Sequence, residues 1–124
     1  MRPQILATLV LVVSFTACNS ATKESKPEAQ ADGKVPVTTK SEDARKEFLQ
    51  GRDLADKLLA QDSVEHFDKA IALDPDFASA ELARANAAAT THEFFDHINK
   101  AVKLADKASD GEKWLILATE AGAN

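Results

Sequence analysis

Apolar side chains recur every three or four positions from Ser41 onward, and this spacing predicts amphipathic helices with no strand among them. Five are marked by their caps. The first runs over residues 41 to about 58, with Ser41 as cap, Glu42 and Asp43 in its first turn, and Ala44, Phe48, Leu54, Ala55 and Leu58 on one face. The second starts at Asp62, where Glu65 completes an acidic variant of the capping box, and ends at Leu73, just before Pro75. The third covers residues 77 to about 89. Thr90 with Glu93 opens the fourth, which continues to about residue 108. Ser109 with Glu112 opens the fifth, which contains WLILA, and Gly122 is placed to end it.

Connections this short make consecutive helices antiparallel hairpins. A repeat is visible as well: FDKAIALD at residues 67–74 is echoed by INKAVKLA at 98–105, so Phe67, Ala70 and Leu73 correspond to Ile98, Ala101 and Leu104, 31 positions later. Such an offset is the signature of stacked helical units. The expected fold is therefore all-α, with helix hairpins stacked as a short solenoid.

The region before the helices is of another kind. Arg2 precedes a short apolar run, ILATLVLVV, which is followed by SFTAC. The run is too short to span a bilayer and reads as a secretory signal over residues 1–17. Cys18 is the only cysteine in the 124 residues, so an intrachain disulfide is impossible. Phe15-Thr16-Ala17-Cys18 resembles the bacterial lipoprotein signal, with small residues at the two positions before the cysteine and Phe15 where leucine is usual. The resemblance implies that Cys18 is lipidated and anchors the chain to a membrane of the cell envelope, at the outer membrane on its periplasmic or surface side. Residues 18–40 hold mixed charge, two prolines, a glycine and few large apolar groups, which reads as a flexible tether.

The helical part has a nameable likeness. With Ala44 as first position of a 34-residue unit, Gly51, Leu54, Ser63, Phe67, Ala70 and Pro75 fall on signature positions, and the pattern resembles a tetratricopeptide repeat. Glu47 stands where that family usually has an aromatic, with Phe48 next to it, and Leu58 stands where a turn glycine is common. A second unit over residues 78 to about 108 is degenerate and a partial third spans 109–121, as at the start of a longer bacterial lipoprotein of this family. The resemblance implies a protein or peptide partner bound on the concave face, by Arg45, Phe48, Leu49, Arg52 and Asp56 from the first unit and Ser79, Leu82 and Asn86 from the second. It implies no cofactor.

The chain's net charge of -5, without a basic cluster, argues against a nucleic-acid partner. HEFFDH, residues 92–97, invites comparison with a zinc-hydrolase helix, but His92 and His97 are five apart and diverge by about 140° around a helix, where a zinc pair needs spacing of four. No phosphate loop or activated nucleophile accompanies them, so neither catalytic nor metal-binding residues are expected. The alternative to a binding module is a fragment that self-associates through the helix carrying WLILA, residues 114–118.

Overall fold

The structure is a computed structural model that describes residues 34–124. The secretory signal, Cys18 and the tether up to residue 33 lie outside the described residues. Among those described there are five α-helices, one short 3-10 turn and no strand: α1 (Glu42–Asp56), α2 (Ala60–Leu73), α3 (Ala78–Asn86), α4 (Thr91–Leu104), the 3-10 turn (Ala105–Lys107) and α5 (Asp110–Ala123).

Each expected side-chain cap but one is in place. The Ser41 hydroxyl accepts from the Ala44 amide at 3.1 Å, Thr90 accepts from Glu93, and Ser109 forms a complete capping box with Glu112. The exception is Asp62. Helix α2 begins two residues earlier, at Ala60, with Leu59 at its cap position and no side-chain cap bond, because the preceding turn already sets the backbone. In that turn Leu58 takes a left-handed conformation, φ 64. The Leu58 amide donates to the Ala55 carbonyl at 2.9 Å and the Leu59 amide to Leu54 at 3.0 Å. This is the Schellman pattern, which satisfies carbonyls left over at the end of α1. Leu58 is 90% exposed rather than on the apolar face, so its strain, about 1 kcal/mol for a side chain at positive φ, is not offset by burial.

Other boundaries shift by a few residues. Helix α3 stops at Asn86, α4 tightens into the 3-10 turn at Ala105, and Gly122 lies inside α5 rather than ending it, since that helix continues through Ala123.

Helix α1 packs chiefly on α2, and α3 on α4. Gly51 explains the first pairing. A Cβ there would lie 2.7 Å from Cε1 and 2.9 Å from Cδ1 of Phe67, so only a glycine lets the ring sit between the helices. Ser63, whose hydroxyl donates to the Ala60 carbonyl, Ala44 and Ala70 are fully buried small residues at the same seam. Leu54 is half-buried and Pro75 sits exposed in the turn after α2. Asp74 ties the end of α2 to the start of α1: its Oδ2 accepts from Thr39 Oγ1 and the Lys40 amide. The Asp76 amide donates to Asp74 Oδ1, an Asx turn that reverses the chain toward α3.

Phe77 at the start of α3 closes the first core. Its ring lies 5.0 Å from Phe48, which is in turn 5.9 Å from Phe67. A second cluster joins Ala78, Ala101, Ala105 and Ile116. Burying one such phenylalanine or isoleucine contributes about 2 to 3 kcal/mol, so these few rings and branched chains dominate the stability of a small domain. Equivalent positions recur: Phe67 and Ala70, like Ile98 and Ala101, are buried in α2 and α4, and Ala44, Ala78 and Glu112, successively 34 apart, are buried in α1, α3 and α5. Glu47 of α1 meets His66 of α2 at 2.9 Å, and Glu81 of α3 meets His97 of α4 at 2.6 Å.

Candidate interaction groove

Helices α1, α3 and α5 line one groove of about 450 Å³, and α2 contributes Ala60 and Phe67 to it. Its apolar lining includes Phe48, Leu82, Ala83 and Leu115. Arg52, Asp56 and Asn86 supply polar groups, while Ser79 and Glu112 lie toward the first turns of α3 and α5. Arg52 lies with its guanidinium carbon 5.8 Å from the Phe48 ring centroid, within cation–π range.

Six of the eight residues expected on a concave face are thus brought together: Phe48, Arg52, Asp56, Ser79, Leu82 and Asn86. The other two are placed differently. Leu49 is half-buried against the first core cluster, and Arg45 turns toward the chain that precedes α1.

That chain forms the remaining wall. Residues 34–40, read from composition as the last part of a flexible tether, lie along the helices with no regular secondary structure, and Lys34, Val35 and Val37 line the groove. Val37 is 4% exposed and belongs to the first core cluster. Its carbonyl accepts from Arg45 Nη1 at 3.1 Å. Val35 packs over Gly111, where a Cβ would come within 3.0 Å of it, and Lys34 forms an ion pair with Asp56.

Glu112 is the centre of this arrangement. It is 1% exposed, yet its carboxylate accepts five hydrogen bonds. Oε1 takes the Thr38 amide at 2.8 Å and the Ser79 hydroxyl at 2.6 Å. Oε2 takes the Thr38 hydroxyl at 2.6 Å and both the amide and hydroxyl of Ser109, at 2.9 and 2.8 Å. Burial pushes the Glu112 carboxyl up, but the donors from Ser79, Thr38 and Ser109 outweigh it and hold the pKa below the ordinary glutamate value. Asp74 follows the same logic: burial raises it, the donors from Thr39, Lys40 and Asp76 lower it further, and the net direction is down. Two ionised carboxylates therefore pin residues 38–40, one from α5 and one from the end of α2.

Local spacing marks Glu112 only as a cap partner, and nothing in the neighbouring pattern marks Val37, Thr38 or Asp74. One signal was available, since Glu112 stands 34 residues after Ala78 and Ala78 stands 34 after Ala44, so the acid occupies a position buried in the two preceding units. The histidines separate as their spacing implies. His92 pairs with Asp96 at 3.1 Å on an exposed surface, whereas His97 points at Glu81 on α3. His66 is half-buried against Glu47. Among the described residues no group of three or more His, Cys, Asp or Glu is arranged to hold a metal ion, and no helix is long and apolar enough to cross a membrane. Comparison with known proteins adds nothing to this picture: no protein-family model, curated protein or solved structure matches the chain.

Proposed function

We propose that this chain is a protein-interaction module of the tetratricopeptide kind, a short solenoid of helix hairpins held at the cell envelope by lipid on Cys18, and that an extended segment of a partner protein binds in the groove between α1, α3 and α5. The observation that carries the reading is the groove itself: the first helix of each hairpin and the following α5 contribute side chains to one apolar trough with a polar rim. A solenoid built from 34-residue units exposes those helices on its inner side. The paired glutamates 34 residues apart, Glu47 and Glu81, each facing a histidine on the second helix of its hairpin, support the same repetition. Extended peptides suit such a trough because their side chains alternate between floor and rim.

Arg52 and Asn86 are the rim groups with the hydrogen-bonding capacity to read a partner's backbone or carboxylate. Screening a peptide array with the purified protein tests the reading: peptides should be captured, and Arg52→Ala should weaken capture about tenfold, the loss of one charge-assisted hydrogen bond. Capture unchanged by Arg52→Ala and by Leu82→Asp would place binding elsewhere. For the anchor, metabolic labelling with a fatty acid should mark the wild-type protein and leave Cys18→Ser unmarked.

A second reading is favoured by Trp114 and Leu115, which are 73% and 48% exposed on α5. In that reading the chain self-associates through α5. Sedimentation over a range of concentrations separates the two: a monomer that binds peptide supports the groove, and an oligomer without peptide binding supports α5.

A further inference from the structure

The groove is already partly filled, and the filler is held as a receptor holds a peptide. Residues 34–40, KVPVTTK, place one apolar side chain, Val37, in the core lined by Phe48 and Phe77. They give a backbone amide and a hydroxyl to Glu112, a second hydroxyl and amide to Asp74, and receive Arg45 on the Val37 carbonyl. Charge agrees with charge, because Lys34 meets Asp56 and Lys40 approaches Asp76 at 3.9 Å. Main-chain bonds plus one buried side chain are how extended ligands gain affinity and selectivity together.

None of these contacts is needed to build a helix. Helix α1 has its own cap in Ser41, and α5 keeps the Ser109 capping box whether or not Thr38 is present. Release of the strap would expose Val37 and remove two donors from Glu112, but it would leave the caps of both helices in place.

We propose that residues 34–40 are a built-in occupant of the groove, and that the partner is an extended segment of the same chemistry, an apolar residue followed by threonine or serine with a basic residue on each side, which binds in trans when the strap has left. This rests on the groove-binding reading above and adds the partner's chemistry to it. Glu112 sets the selectivity. A hydroxyl residue offers it two donors, alanine offers one, and an acidic residue repels it. Because the strap is tethered, its effective concentration is of millimolar order, so it suppresses a partner at lower concentration by about tenfold or more.

The test measures fluorescence anisotropy of labelled KVPVTTK with the full chain and with the full-chain variants Val37→Asp and Thr38→Ala, circular dichroism verifying helicity in each. Val37→Asp should bind the peptide at least tenfold more tightly than the wild type, with Thr38→Ala between them. Adding Glu112→Gln to Val37→Asp should weaken binding about tenfold, as should replacing the first threonine of the peptide by alanine. If Val37→Asp loses its helices, Thr38→Ala, which loses only a hydroxyl and a methyl group, carries the comparison alone. Equal affinity in wild type and variants, or no binding by any helical variant, overturns the inference. A set of unrelated extended peptides run on the same proteins keeps the two readings apart: if those bind and KVPVTTK does not, only the strap proposal falls, and if nothing binds, both fall.

Discussion

Consider replacing Gly51 by alanine. In most helix interiors this substitution stabilises, by about 0.8 to 1 kcal/mol, because alanine loses less conformational freedom than glycine. Here the added methyl would stand 2.7 and 2.9 Å from two atoms of the Phe67 ring and 3.1 Å from the His66 Cβ. Phe67 is buried with its ring 5.9 Å from Phe48, so yielding to the methyl means moving the ring off its core neighbours toward the groove. Overpacking of this kind costs about 1 to 3 kcal/mol, which exceeds the propensity gain. The expected net loss is about 1 kcal/mol, or a fall in melting temperature of about 4 to 8 °C for a domain of this size. Thermal unfolding followed by circular dichroism measures it, and the same substitution at Gly122, where nothing lies within 4 Å, is the control that should not destabilise. Repeating Gly51→Ala in a Phe67→Leu background should remove the penalty, a coupling of about 1 kcal/mol. If Gly51→Ala stabilised the protein as much as an unobstructed helix site allows, the close approach of α1 and α2 at this point would be refuted.

Three further outcomes follow from the same geometry. Leu58→Gly should raise stability by about 0.5 to 1 kcal/mol in urea unfolding, since it relieves a positive φ at an exposed position; a loss would contradict the strained turn. Ser109→Ala should cost about 1 kcal/mol or somewhat more, because it removes the cap of α5 and one donor to buried Glu112. Stability should fall on acidification: Glu112 and Asp74 have folded pKa values below their unfolded ones, so between those values the unfolded state binds more protons. Their contribution is complete above the ordinary carboxylate range of about 4 to 4.5 and is lost as pH drops through the lower folded values. Melting temperatures from pH 7 to pH 3 should show this loss, and Glu112→Gln should flatten part of the slope while lowering stability at pH 7.

What the sequence made legible was local. Ser41, Thr90 and Ser109 cap helices because a hydroxyl three residues before an orphan amide acts within one turn, and that arrangement can be read from spacing alone. Phe67 and Ala70 were legible as core because they repeat at Ile98 and Ala101. The start of α2 was not, since Leu59 carries no capping group and the Schellman turn depends on a leucine adopting a conformation that leucine rarely takes. The strap was hidden for another reason. Val35, Pro36 and Val37 are too few to show any period, and their burial exists only once α1, α3 and α5 have met. Glu112 shows the same limit: its bond to Ser109 spans three residues and was readable, whereas its bonds to Thr38 span 74 and were not.

The proposed role of the face shared by α1, α3 and α5 is to receive a partner segment. Amide and side-chain resonances of the full chain, followed by nuclear magnetic resonance while an array-selected peptide is titrated in, test it residue by residue. Shifts are expected at Phe48, Arg52, Ser79, Leu82 and Asn86, together with release of Val37 and Thr38 from their bound positions. Shifts confined to Asp68, Lys69 and Lys100 on the second helices, with the groove and strap unmoved, would contradict it.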